Sequence, residues 1–354
     1  MKLFCIGDIA IAGNHVSEGL WSPPFVRVPG EETRVLFNWE LPIGQNLNPV
    51  PRECGGPRIL SGMTSPGVIH QWAPGFAALA TNHILDGGEE GLDYTLRALQ
   101  QEGFSTVGAG MTQHVIEKPL IWETEEGTLA IINWVFPEAN PDWMHMPGAN
   151  CWPGVGQASN LIRILKREVD WVMAFVHWSD EDFAYPRPED RVIGRALAEA
   201  GTDIVVSHHP HVVRGMEVIG TCPVFYSLGN YYFSEYVDDS GSWKAKWAPR
   251  NREGLGIEIS FKHGVKLEYK VISFWQANRS VINDPLRRAA RRMKDTSKPL
   301  MRFSEKDYDR WYKTKRMWFD KIWIRWHFGI RRYGVGGLMR HKLHTSNHRF
   351  RVKG

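Results

Sequence analysis

Cysteine is scarce in this chain of 354 residues, and the four present, Cys5, Cys54, Cys151 and Cys222, are scattered with no Cys-x-x-Cys pair. That spacing argues against a disulfide framework and for a reduced compartment. Long apolar runs are also missing: none approaches the roughly 20 residues that span a bilayer. The amino terminus enters Leu3-Phe4-Cys5-Ile6-Gly7-Asp8 after a single Lys, so neither a signal peptide nor an anchor is expected. The expectation is a cytoplasmic protein, with peripheral attachment to the inner membrane as the variant to weigh. Charge of one sign is missing overall, but the net +4 conceals an asymmetry. Residues 285–354 hold 21 Lys and Arg against 5 Asp and Glu, leaving the first 284 residues with 22 basic and 34 acidic side chains.

What is present is ordinary for a folded protein, with 43% hydrophobic and 23% charged residues, except that Trp reaches 16. Apolar runs of about four to seven residues alternate with helical spacing. Strands are expected at 2–6, 34–37, 76–80, 104–107, 170–176 and 203–206, a strand and turn at 223–230, further apolar runs at 118–122 and 128–135, and a closing hairpin at 255–261 and 265–273. Helices are expected at 88–102, 158–169 and 188–200, and loops at 11–33, 41–67 and 136–156. Strand, polar tip, helix, strand is an α/β pattern, which places ligands at the carboxyl ends of its strands.

Those tips carry the chemistry. Asp8, Glu40, Asn82 with His83, His177, and His209 with His211 each close a separate apolar run. Carboxylate, amide and imidazole donors together suit one or two divalent ions such as Mn, Zn or Fe, the kind of centre that prepares water for attack on phosphorus. Taken singly, each has a plainer reading: Asp8 as a turn residue, Glu40 as a surface charge, Asn82 as a helix cap, His177 as a core histidine. Extended backbone would turn His209 and His211 to one side and His208 to the other, making His208 structural.

The order of these motifs resembles the CapA-like family, the poly-γ-glutamate capsule biosynthesis proteins within the calcineurin-like metallophosphoesterase superfamily. The resemblance runs over roughly 3–275. It rests on Gly7-Asp8-Ile9, Asn38-Trp39-Glu40, Asn82-His83-Ile84-Leu85-Asp86 with Gly88, Gly91-Leu92 and Thr95, Gly108-Ala109-Gly110, His177-Trp178, His208-His209-Pro210-His211-Val212 and Tyr226-Ser227-Leu228-Gly229-Asn230. It implies a four-layer α/β metallophosphoesterase sandwich, two packed sheets flanked by helices. It implies Asp8, Glu40, Asn82, His177, His209 and His211 as metal ligands, and His83 as the group that protonates or stabilises a leaving oxygen. The activity implied is a phosphoesterase-type hydrolysis in capsule or exopolymer metabolism; the alternative is a metal-binding accessory protein of polymer synthesis or export. Ala10 stands where such enzymes carry the imidazole of Asp-x-His. Ser179, Asp182 and Arg214 also depart from the pattern, and Arg214 could fork onto a substrate phosphate or carboxylate, or form a surface salt bridge.

Beyond a domain of 1–280, residues 281–354 read as a basic helical extension. Arg287, Arg288, Arg291 and Arg292 suggest one charged helix face. A second helix is expected from Lys306 to about Ile330, with Tyr308, Trp311, Tyr312, Trp318, Phe319, Ile322, Trp323 and Trp326 as its stripe. The stripe could pack on the domain, lie on a membrane through 285–330, or serve with the basic residues as a landing surface for an anionic polymer. Nucleic acid ranks last, because no nucleic-acid-binding motif is present. Residues 334–354, rich in Gly, His and Arg, read as a flexible end.

Overall fold

The structure is a computed structural model that describes residues 1–12, 25, 30–44, 59–62, 65–137, 148–237, 244–245, 247–278 and 280–323. The chain begins β1 (Lys2–Ala10), β2 (Thr33–Trp39), a 3-10 helix (Ser65–Trp72), β3 (Gly75–Ala78), α1 (Gly88–Gln101) and β4 (Phe104–Val107). A short ribbon pairs β5 (Ala109–Gly110) with β8 (Gly148–Ala149), and between them lie α2 (Gln113–Glu117), β6 (Leu120–Thr124) and β7 (Gly127–Val135). Then come α3 (Val155–Leu165), β9 (Trp171–His177), α4 (Pro188–Ala200) and β10 (Ile204–His208). After β11 (Met216–Ile219), β12 (Cys222–Phe225) and β13 (Asn230–Phe233), a second ribbon joins β14 (Tyr236–Val237) to β15 (Lys244–Ala245). The run closes with β16 (Glu253–Ser260), β17 (Glu268–Gln276), β18 (Val281–Asn283), α5 (Arg288–Arg302) and α6 (Glu305–Trp323).

Two sheets result. The larger has the order β18-β17-β16-β1-β2-β3-β4, with β13 also paired to β1; the smaller has the order β11-β12-β10-β9-β7-β6. Their central strands are parallel and buried on both faces, which is why they read as continuous apolar runs rather than as alternation. Leu3, Cys5, Leu36, Leu255 and Ile257 of one sheet meet Ile131, Met173, Phe175, Val206 and Phe225 of the other in a shared core. The outer face of the large sheet is covered by α1 through Leu92 and Leu99, and by the 3-10 helix through Ile69 and Trp72. The outer face of the small sheet is covered by α3, α4 and α6. This is the four-layer α/β sandwich the resemblance implies. Each fully buried large aliphatic side chain contributes about 1.5–3 kcal/mol to it.

β1 departs from expectation in a way that matters for the site. The sequence suggests an end at Ile6; the strand continues to Ala10 because its neighbour changes. β16 pairs with Lys2 to Ile6, and β13 then takes over at Asp8 to Ala10, in parallel. Asp8 is therefore inside a strand, at an irregularity in the pairing to both β2 and β13. Smaller differences are the unforeseen β11, the end of β3 at Ala78 and the end of α3 at Leu165.

The stretch after residue 280 is tied to the sandwich. β18 extends the large sheet, and α5 adds Ala289, with Ala290 and Met293 beside it, to the shared core. In α6, Tyr308 and Tyr312 are buried against the small sheet's helical layer, with Trp311 and Phe319 partly buried there, while Trp318 stays 55% exposed. Packing on the domain is thus what most of the described stripe does. Trp326, the expected continuation of the helix to Ile330, the tail at 334–354 and most of the expected loops at 11–33 and 41–67 lie outside the described residues, as do the side chains of Ile322 and Trp323. No helix among the described residues is long and apolar enough to cross a membrane.

Gly7 lies where β1 changes partner. A Cβ there would overlap the carbonyl oxygen of Gly229 and press on the backbone nitrogen of Tyr231. Gly7→Ala is expected to lower stability by about 1–3 kcal/mol, the usual cost of overpacking, as read from the urea midpoint at constant m; an unchanged midpoint would refute this account of the crossing.

Candidate metal centre

The strand ends of both sheets converge on one buried cluster. From the large sheet come Asp8 in β1, Asn38 in β2, Glu40 just beyond it, and Thr81-Asn82-His83 after β3. From the small sheet come His177, the last residue of β9, and His208, the last of β10, with His209 and His211 immediately after. All are buried. Pairing of β9 with β10 sets His177 opposite His208.

Local hydrogen bonds fix the donors. The Asn38 amide donates to Asp8 Oδ1 (2.9 Å) and to Glu40 Oε2 (2.6 Å), so one side chain spaces two carboxylates. Thr81 Oγ1 donates to the Glu40 carbonyl (2.9 Å) and accepts from the His83 backbone N–H, which shapes the turn after β3. His177 Nε2 lies 2.9 Å from Asn82 Oδ1 and 3.4 Å from Glu40 Oε1. His83 Nδ1 lies 2.6 Å from Asp86 Oδ2, which also accepts the Ile59 N–H. His211 Nδ1 lies 3.0 Å from Asn230 Oδ1, and the Asn251 amide donates to the His211 carbonyl (3.1 Å).

The histidine cluster is not extended. β10 stops at His208, and His209 (φ 90°) and His211 (φ 55°) lie in the left-handed region that non-glycine residues avoid. The expected two-residue alternation therefore does not hold, and His208 does not face away. Its Nδ1 is 3.2 Å from Asp8 Oδ1, off the hydrogen-bond direction, while its ring centre lies 4.1 Å from that of Phe175, the planes tilted by 37°. Two imidazoles and one backbone N–H gather around Asp8: besides His208, His211 Nδ1 is 3.5 Å from Oδ2, and the His209 backbone N–H donates to the same oxygen at 3.4 Å.

Two groups have one donor atom per residue within 4.8 Å of the others: Glu40, His177 and His209, all buried, and Glu181, His209 and His211, of which Glu181 is exposed. Glu40 Oε1 and the Nδ1 atoms of His177 and His209 are buried without hydrogen-bond partners. Orphaned buried polar atoms are costly in a dry interior, and Glu40 Oε1, which faces His177 Nε2, is free to take a cation. Electrostatics agree. Burial, and then the charge of Asp8, push the Glu40 carboxyl well up. Burial pushes the imidazoles of His177 and His209 well down, into the neutral form that ligates metals. Burial opposes ionisation of Asp8, yet His208 and His211 outweigh it and hold the carboxyl far below the usual carboxylate range. For His211 burial lowers the value, but the Asp8 contact and the charges of Asp8, Glu40 and Glu181 raise it to about 10. The donor set fits a divalent cation.

Arg214 does not join this cluster. It is fully buried, and its Nε, Nη1 and Nη2 donate to Phe183 O (2.9 Å), Ser179 Oγ (2.6 Å) and Asp180 O (2.6 Å), with Asp190 at 3.6 Å. Its donors are spent on the loop after β9, which corrects both the substrate-fork and the surface-pair readings. Residues that sequence reasoning left without a role here are Asn38, Asp86 and Asn230, each inside a quoted motif, together with Asn251 and Glu181. For the first three the signal was available, a polar side chain closing or following an apolar run. Glu181, within Asp180-Glu181-Asp182, looks like a solvated acidic loop.

Arg214→Met would leave the 179–183 loop without its central donor and Asp190 with Arg187 as its remaining cation and Ser179 as its remaining hydroxyl partner. A loss of about 3 kcal/mol in unfolding free energy is expected; a loss below about 1 kcal/mol would contradict the bracing role.

Residues 3–235 match the family model described as "Bacterial capsule synthesis protein PGA_cap". The chain is 32% identical over 162 residues to the PGA biosynthesis protein CapA of Bacillus subtilis (strain 168), covering 44% of this chain and 42% of that protein. It is 31% identical over 164 residues to the capsule biosynthesis protein CapA of Bacillus anthracis, covering 44% of this chain and 39% of that protein. These matches span less than half the length of either relative. Among solved structures, the NAD nucleotidase (NadN) of Haemophilus influenzae aligns with a TM-score of 0.41 and 12% identity, over 90% of this chain and 68% of that chain.

Proposed function

The chain belongs to the bacterial capsule synthesis protein family, and from that premise we propose that it is a metal-dependent phosphoesterase-type hydrolase serving the synthesis of a poly-γ-glutamate-type capsule. The observation that carries this reading is the buried group of Glu40, His177 and His209, each with a donor atom within 4.8 Å of the others, with Asn82 Oδ1 2.9 Å from His177 Nε2 beside it. In this reading Asp8, Glu40, Asn82, His177, His209 and His211 hold one or two ions of Mn, Zn or Fe. A bound ion of this kind would neutralise phosphoryl oxygens and make water a better nucleophile.

The chain's own residues would do the rest. Asn38 keeps Asp8 and Glu40 apart and oriented. Asn230 fixes the ring of His211 through Nδ1, which leaves Nε2 for ligation. Asp86 holds His83 through Nδ1, which in this reading orients the ring so that its other nitrogen can pass a proton to the departing oxygen. The anionic partner is a phosphorylated substrate or the acidic polymer itself, drawn by the excess of Lys and Arg beyond residue 285.

A second reading is an accessory protein that binds metal without turnover. It is favoured by Ala10, fully buried in β1, which offers no donor two residues after Asp8. One experiment separates the two. Protein loaded with Mn, Zn or Fe is assayed on aryl phosphate mono- and diesters and on alkyl esters. Hydrolysis is expected, abolished by His177→Ala, and reduced about 10²–10⁴-fold by His83→Ala on alkyl esters. The reduction should be smaller for a nitrophenyl leaving group, which departs without a proton. Metal-loaded protein that turns over no ester supports the accessory reading; protein that takes up no metal contradicts both.

A further inference from the structure

Glu181 lies four residues beyond His177, and no hydrogen bond or ion pair reaches its carboxylate among the described residues. The other polar side chains of its loop, Ser179, Asp180 and Asp182, are engaged. Ser179 Oγ donates to Asp190 Oδ2 (2.5 Å) and accepts from Arg214. The Asp180 carboxylate takes Arg316 Nη1 at 2.6 Å, with the Tyr312 hydroxyl at 3.4 Å. Asp182 Oδ1 accepts the Asn251 amide (2.8 Å), and its backbone N–H donates to Pro210 O (2.9 Å), which ties the loop directly to the turn between His209 and His211.

The loop is also strained. Ser179 (φ 77°) and Asp182 (φ 63°) both lie in the left-handed region, as do His209 and His211 facing them. Each such residue costs about 1–3 kcal/mol, and a fold keeps the conformation only where its surroundings over-determine it. A solvated acid at the rim of a cleft needs no such loop. Here the loop leaves one carboxylate uncommitted within 4.8 Å of ring nitrogens of His209 and His211, the first of which has a buried Nδ1 with no partner.

We propose that Glu181 is a metal ligand of this protein, completing with His209 and His211 a second cation position beside that of Glu40, Asn82 and His177. Imidazole and carboxylate oxygen bind Zn at about 2.0–2.2 Å. Donors on one ion then lie up to about 4 Å apart, a separation reached by sub-ångström movement of an exposed glutamate. His209 is shared between the two groups, so the two positions are neighbours. The proposal rests on the reading of the cluster as a metal centre.

The test uses the full chain, loaded with MnCl2 and freed of excess by gel filtration. Metal per chain is counted by elemental analysis, and the Mn spectrum is recorded by electron paramagnetic resonance. Wild type is expected to carry two Mn per chain with a spin-coupled spectrum. Glu181→Gln, isosteric and exposed, should carry one, with the hyperfine pattern of an isolated ion, at least tenfold weaker uptake of the second, and an unchanged melting temperature of the metal-free protein. Glu181→Gln that still carries two coupled ions overturns the inference and leaves the metal centre standing. A wild type that never takes more than one ion overturns it equally. A wild type that takes none overturns the metal centre and this inference together.

Discussion

A carboxylate removed entirely from water is the constraint around which this fold is arranged. Asp8 is fully buried, and taking an ion of that size out of solvent costs several kcal/mol even after relaxation. Its compensation comes from both sheets: the Asn38 amide from β2, the His208 and His211 imidazoles and the His209 N–H from beyond β10. None of these partners is near Asp8 in sequence. They meet because β1 is flanked by β2 and then by β13, and because the two sheets share a core that brings the ends of β1 and β10 together. The crossing at Gly7 belongs to the same device, since the backbone of Gly229 approaches β1 more closely than any side chain would allow.

Much of this was legible in the chain. Buried parallel strands must be apolar along their whole length, so a polar residue that closes such a run stands out, and Glu40, Asn82, His177 and His209 were found that way. What the runs could not convey was backbone conformation. Extended geometry would put His209 and His211 on one side and turn His208 away, whereas both adopt positive φ and His208, at the end of β10, also lies against Asp8. The prolongation of β1 to Ala10 was hidden because it depends on β13, more than two hundred residues away. The burial of Arg214 is hidden from the sequence for a similar reason. Its partners Ser179, Asp180, Phe183 and Asp190 precede it by 24 to 35 residues, and no local pattern ties them to it.

The carboxyl-terminal helices show the same limit in another form. The aromatic period of α6 announced a helix, but not what it would cover. Its Tyr308 hydroxyl donates to Pro186 O (2.7 Å), its ring lies under Arg191, and Arg316 reaches Asp180. Part of the basic excess after residue 285 is consequently internal. Arg292 pairs with Glu253, Arg288 with Asp284, and Arg316 with Asp180 and Asp320. Of these, the pairs Arg292–Glu253 and Arg316–Asp180 hold α5 and α6 to the sandwich. The charge that remains for an outside anion lies on the unpaired faces of these helices and in the sequence beyond Trp323. α6 thereby acquires a connection to the site that composition alone would not suggest, because the loop it grips through Asp180 is the loop that carries Glu181.

The protonation pattern of the cluster argues that cation binding and backbone strain are coupled. With no cation, burial drives Glu40 toward its neutral form, keeps His177 and His209 uncharged, and leaves Asp8 to be balanced by a protonated His211. One proton on His211 therefore does part of the work that a divalent ion would do more fully. In the proposed reading, holding an ion on His211 and Glu40 would require that proton to leave and Glu40 to ionise, and both changes would be favoured by donors already aimed inward. The left-handed residues at 209 and 211 supply that aim. Their strain is met by Asn251 on the His211 carbonyl and by Asp182 on the Pro210 carbonyl, contacts made by backbone groups and amides that do not titrate. The geometry of the site is thus held by groups indifferent to pH, and its charge by groups that respond to the ion.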